Sequence, residues 1–192
     1  MKVYLGTKQQ WVRQVKIETN MKIGLCGTMS VGKTTLVNAL MNLPEFEDYN
    51  FATERSKYLR DLGIPLNTDS TLNGQFVFLA ERATELLYPN IITDRTIWDV
   101  CAFTLGAKSI NEFDKRTFVE AAMMFRNQYD LVIYVDPRGV GMEDNNVRET
   151  DLHYRRKIDE VIKMSLAEFP PQRLITVEGT TEERIATILQ NL

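Results

Sequence analysis

Eight consecutive residues, Gly27, Thr28, Met29, Ser30, Val31, Gly32, Lys33 and Thr34, match G-x-x-x-x-G-K-[ST] at every fixed position. A loop that wraps a polyphosphate must turn successive backbone N–H groups inward, and its two glycines allow turns and close approaches that a Cβ blocks. Lys33 adds a mobile positive charge suited to β- and γ-phosphates, the Thr34 hydroxyl is placed to ligate magnesium, and Thr35 offers a further donor. A helix opening near Gly32 aims its positive end at the same anion. The expected ligand is a nucleoside triphosphate with magnesium, ATP and Mg²⁺.

A phosphate loop alone does not separate kinase, switch and motor, so the remaining charged residues carry the choice. Asp94-Arg95-Thr96 follows an apolar stretch and is expected at the carboxyl edge of a parallel sheet, beside the phosphate loop. Asp94 could join the magnesium shell directly or through water, and Arg95 could neutralise a phosphoryl group or orient an acceptor hydroxyl. The alternative is a surface ion pair ending a strand. Thr53-Glu54-Arg55 is placed on the same edge, where Glu54 suits proton acceptance from an attacking hydroxyl; a first-turn helix carboxylate is the competing reading. Residues 138–150 form a loop dense in glycine, asparagine and charge. Arg148 is the first choice for an arginine that closes over the triphosphate. Arg155 and Arg156 fit either that role or a solvated helix with (i, i+4) pairs.

The elements that must hold these residues alternate. Residues 22–26 read as a short buried strand before the loop, and 35–40 as the opening of the helix after it. Strands are expected at 49–53, 90–94, 131–136 and 173–177, with 131–136 the most strand-like stretch. Helices are expected at about 54–62, 71–87, 97–127 with an interruption near Gly106, 151–168 and 181–189. Five strands alternating with helices predict an α/β protein, a parallel sheet covered on both faces with right-handed crossovers. Gln75, Phe76, Phe78 and Trp98 could shape an acceptor pocket, but aromatic residues at helical spacing are first expected in the core.

The 192 residues, 44% hydrophobic and 26% charged, suit one compact domain. Residues 1–20 form an N-terminal extension without an assigned role: an internal start at Met21, an extra strand or arm, and an appended segment all stay open. The phosphate-loop domain is expected at 21–192, with a lid segment at about 138–156. A net charge of −3 argues against broad adhesion to nucleic acid. No apolar run is long enough for a bilayer span and the start lacks a secretion signal, so no membrane role and a cytoplasmic location are expected. Cys26 and Cys101 lie in apolar surroundings and read as reduced core residues, with no zinc site.

These residues together resemble the P-loop nucleoside and nucleotide kinases, especially the nicotinamide riboside kinase-like branch and its deoxynucleoside and thymidylate kinase relatives. The resemblance spans about residues 21–192. It rests on the phosphate loop, Glu54-Arg55, Asp94-Arg95-Thr96, residues 148–156, and Val177-Glu178-Gly179-Thr180 before Glu183-Arg184. It implies a three-layer P-loop fold with strand order 2-3-1-4-5, a base at Glu54 and an acceptor-side arginine at Arg95. It also implies that Gly179 and Thr180 lie against the ATP base. The triplet Asp-Arg-Thr is closer to the thymidylate kinase Asp-Arg pattern than to the Glu-Arg-Ser of deoxynucleoside kinases, so whether Glu54 or Asp94 is the base stays open.

The leading function is ATP- and Mg-dependent phosphoryl transfer to a nucleoside or nucleotide. A kinase acting on a hydroxyl of a modified base or end in DNA is a second reading, weakened by the acidic balance. A regulatory NTP-binding switch or NTPase is a third, without the Asn-Lys-x-Asp motif of guanine recognition. Acceptor identity and formation of a homodimer stay open.

Overall fold

The computed structural model describes residues 21–53, 55–138 and 152–192. Its sheet consists of β1 (Lys22–Cys26), β2 (Asn50–Ala52), β3 (Ile91–Asp94), β4 (Leu131–Val135) and β5 (Leu174–Val177). All neighbours are parallel and the order is β2-β3-β1-β4-β5. The expected α/β fold and strand order are therefore observed. β4 is buried along its whole length, and β1 is buried after Lys22. Central parallel strands covered on both faces read as continuous apolar runs, which is why these two were recognisable from composition alone.

The helices are α1 (Lys33–Leu40), α2 (Ser56–Asp61), α3 (Leu72–Glu85), α4 (Ile97–Gly106), α5 (Glu112–Met123), α6 (Leu152–Glu168) and α7 (Thr181–Gln190). Expected residues 97–127 divide into α4 and α5, and Asn111 caps the second by accepting from the Asp114 N–H. Thr71 caps α3 in the same way through the Gly74 N–H.

The layers follow from strand order. The chain moves from β1 outward to β2, and then returns through β3 across β1 to β4 and β5. With right-handed crossovers, opposite directions of travel put helices on opposite faces. Leu36, Val37, Leu40 and Ile188, from α1 and α7, share one buried cluster. Leu79, Trp98, Phe118, Ile158 and Ile162, from α3 to α6, share the other. Trp98 is fully buried and its Nε1 donates to the Phe169 carbonyl at 3.0 Å, so it is a core residue. Phe78 packs against the same core, and Phe76, 45% exposed, meets Phe118 edge-on.

Adjacent strands β1 and β3 thus send α1 and α4 to opposite faces. A crevice opens between their carboxyl ends, at the topological switch point where parallel sheets bind ligands. The register sets Leu25 of β1 beside Asp94 of β3.

Candidate active site

The phosphate loop occupies that crevice. Gly27 has φ 152°, and a Cβ there would lie 2.8 Å from the Val135 carbonyl oxygen. Gly32, at φ 85°, precedes α1 in left-handed geometry. Ser30 also takes a positive φ, 57°, which costs an L-residue energy that the surrounding fold must offset.

The loop is clamped from both layers. Thr28 Oγ1 donates to the Arg155 carbonyl at 3.0 Å, which ties the loop to α6. Arg184 of α7, 4% exposed, donates from Nη1 to the Val31 carbonyl at 2.7 Å. The Met29 and Val31 side chains are buried in the two cores, whereas Thr35 is exposed on α1.

Lys33 is buried, and its Nζ donates to the Gly27 carbonyl at 2.5 Å and the Thr28 carbonyl at 2.8 Å. Burial and the Arg95 charge push its pKa down, opposed by the Asp99 and Asp94 carboxylates. Its ammonium lies 3.8 Å from Asp99 Oδ1. At the end of β3, Asp94 Oδ2 accepts from Thr34 Oγ1 at 2.5 Å. Asp94 Oδ1 is buried and has no hydrogen-bond partner among the described residues. A hydroxyl and a carboxylate with one uncommitted oxygen fit a hard cation that also takes phosphate and water oxygens. No group of three or more His, Cys, Asp or Glu able to hold a metal occurs among the described residues.

Arg95 follows at φ 109°. Its guanidinium stacks over the Phe103 ring at 4.9 Å, with Nη1 4.0 Å from Asp99 Oδ1. The turn is held by Arg95 N–H on the Leu25 carbonyl at 3.1 Å, Thr93 Oγ1 on the Arg95 carbonyl at 2.8 Å and Arg82 Nη1 on the Asp94 carbonyl at 3.2 Å. Asp99 of α4, fully buried, accepts from Thr96 N–H and Oγ1 at 2.9 Å each through Oδ2, and from Gly27 N–H at 3.2 Å through Oδ1. Asp99 was not among the expected site residues; the Thr96-x-x-Asp99 spacing of a capping box was its available signal.

Met29 to Thr34, Asp94 and Arg95 therefore line one crevice, with Gly27 and Thr28 tied to it through the bonds that their carbonyls accept from Lys33. Gly179 and Thr180 lie at the carboxyl end of β5 with local roles of their own. Thr180 forms a capping box with Glu183, and a Cβ on Gly179 would collide with the Glu183 carboxylate. Arg155 is buried, with Nη2 3.4 Å from the Ser30 carbonyl oxygen, whereas Arg156 is exposed. Glu54, Arg148, the rest of residues 139–151 of the expected lid and the extension 1–20 lie outside the described residues.

The AAA domain family matches residues 22–184. The chain belongs to this family. No curated protein sequence matches this AAA domain protein. Among solved structures it is similar to deoxyadenosine kinase from M. mycoides, with TM-score 0.60, 18% identity, and coverage of 89% of this chain and 97% of that one. It is also similar to thymidylate kinase from Candida albicans, with TM-score 0.63, 16% identity and 90% of each chain covered. A third similarity is to NadR protein in complex with NR, with TM-score 0.67, 14% identity, and 90% of this chain against 51% of that one. The AAA domain thus shares its fold with the branch that the sequence resembles. Among its described residues, no helix is long and apolar enough to cross a membrane.

Proposed function

We propose that the protein catalyses ATP- and Mg²⁺-dependent phosphoryl transfer to a nucleoside or nucleotide acceptor. The observation that carries this reading is the convergence of Lys33, Thr34, Asp94 and Arg95 on one crevice, with Asp94 Oδ1 left uncommitted. A triphosphate in the loop would exchange the Lys33 bonds to Gly27 and Thr28 for bonds to β- and γ-oxygens. Thr34 and Asp94 would hold magnesium, which neutralises charge on those oxygens when bound. Arg95, on the Asp94 side of the crevice, faces the moving phosphoryl group and the acceptor. Glu54 as acceptor base, Arg148 as lid arginine and Gly179-Thr180 beside the ATP base complete the proposal. The kinase domain extends over 21–192 with a lid at about 138–156.

Structures similar in fold bear the names deoxyadenosine kinase and thymidylate kinase, and NadR is seen with NR. These names support a small nucleoside-like acceptor over a polymer. Cys26 and Cys101 are free and buried, which suits a reducing, cytoplasmic setting.

A panel of nucleosides, nucleoside monophosphates and modified DNA, assayed with labelled ATP, tests the reading. Transfer to one small acceptor, lost in Lys33→Met, is expected. Folded protein that takes up no Mg-ATP overturns it.

A further inference from the structure

We infer that Asp99 is a positioning residue that holds the phosphate loop and the Arg95 turn as one unit, a task that requires both of its carboxylate oxygens to accept hydrogen bonds. The inference rests on the phosphoryl-transfer reading above. Gly27 and Asp99 stand 72 residues apart in sequence and meet because β1 and β3 are adjacent.

The hydrogen-bond and ion-pair partners that meet this carboxylate are donors. Oδ2 takes the N–H and O–H of Thr96, and Oδ1 takes the Gly27 N–H. Two cations complete the surroundings, Lys33 Nζ at 3.8 Å and Arg95 Nη1 at 4.0 Å. A fully buried carboxylate persists only where such donors and charges compensate it. Asparagine has the same outline, but its NH₂ must face either Gly27 N–H or the Thr96 donors, so one contact turns repulsive in either orientation.

Gly27 opens the phosphate loop, and Thr96 ends the turn that carries Asp94 and Arg95. Asp99 therefore fixes the distance between the group that holds ATP and the group that faces the acceptor. When Lys33 turns from the loop carbonyls to a triphosphate, Gly27 and Arg95 stay beside Asp99, and its charge remains compensated. No hydrogen bond in this arrangement is spent on substrate, which distinguishes Asp99 from Asp94.

The test is a cycle of Lys33→Met, Asp99→Asn and the double variant, reading Mg-ATP affinity by calorimetry and turnover with the acceptor found in the panel. Asp99→Asn is expected to weaken Mg-ATP binding about 10-fold and to lower turnover about 100-fold, because small displacements of reacting groups are costly. The double variant is expected to fall short of the product of the two single affinity losses by about 3-fold or more, since the residues act through a shared contact. A merely structural Asp99 gives multiplicative losses, or a lower melting temperature with unchanged kcat and KM, and either result overturns the inference. Should Asp99→Asn not fold, Thr96→Val keeps the carboxylate and removes one donor. It is expected to lower kcat about 3-fold to 10-fold at unchanged secondary structure, and wild-type turnover in that variant also overturns the inference. Failure of the underlying reading looks different: wild-type protein without saturable Mg-ATP uptake removes both.

Discussion

Thr34 Oγ1 donates to Asp94 Oδ2 at 2.5 Å, which joins the end of the phosphate loop to the end of β3. The second carboxylate oxygen is buried and uncommitted among the described residues, and Asp94 lines the crevice together with the loop. Asp94→Asn keeps the side-chain shape and can still accept from Thr34, but loses the charge. Turnover is expected to fall about 10²-fold to 10³-fold, as when a charge-stabilising group is lost from an active site. The magnesium concentration for half-maximal rate should rise as well. Rates measured across a magnesium titration check this, and an unaltered magnesium dependence would remove Asp94 from the metal shell.

Arg95 combines an active-site position with a backbone that an L-residue rarely adopts, φ 109°. Glycine relieves that conformation, worth about 1 kcal/mol or more, and loses the stacking on Phe103, worth about 0.5–1 kcal/mol. It also removes one of the two cations beside the buried Asp99 carboxylate, so Arg95→Gly should melt below the wild type while turnover falls by about 10²-fold and ATP affinity changes much less. Thermal denaturation beside steady-state kinetics separates the two effects. Equal loss of ATP affinity and turnover would move Arg95 to the nucleotide side.

The legible parts of this molecule are those whose signals are local. The apolar run Lys22–Cys26, the G-K-T spacing and the carboxylate closing β3 each state their surroundings within a few residues. β2 is shorter than the expected 49–53, spanning Asn50–Ala52. As an edge strand it has one ladder, to β3, so its ends lack a second neighbour to extend them. Asp99 was half legible: its spacing from Thr96 marks a helix cap, yet only the β1–β3 pairing brings Gly27 onto the other oxygen. Arg184 reads as an ordinary first-turn charge until the order β4-β5 sets α7 beside α1 and the phosphate loop. Gly179 and Thr180 show the converse. The capping box already explains both residue types, so their place at the sheet edge adds no ligand signal of its own.

Glu85 offers a pH test. Burial raises its pKa from the ordinary glutamate value to about 7, against the pull of Arg82, whose Nη2 donates to it at 2.5 Å. With the folded pKa above the unfolded one, the folded state holds the proton longer, and its stabilising share is fully present below about pH 4.5. That share is lost as pH rises toward 7, a change on the order of 3 kcal/mol. Glu85→Gln preserves an acceptor for Arg82 and cannot ionise. The variant should lose the part of the slope between pH 5 and 7.5 that the wild type owes to this group. Melting curves for both proteins across that range decide it, and parallel slopes would show that Glu85 is already ionised in the fold.

Gly24 lies in the middle of β1, and a Cβ there would stand 2.5 Å from Thr96 Cγ2 and 2.7 Å from the Tyr129 ring. Tyr129 is fully buried and packs against Trp98 at 5.6 Å between ring centroids, so the ring has little room to yield. Thr96 must then move, and with it the two hydrogen bonds that it donates to Asp99. Gly24→Ala is expected to destabilise the protein by about 1–3 kcal/mol, the usual cost of overpacking a filled core. The folded fraction should also turn over more slowly, since the displaced residue adjoins Arg95 and Asp99. Denaturant unfolding gives the first quantity, and turnover corrected for folded protein gives the second. Loss of stability with full turnover would show that β1 absorbs the methyl without passing the displacement to the Arg95 turn.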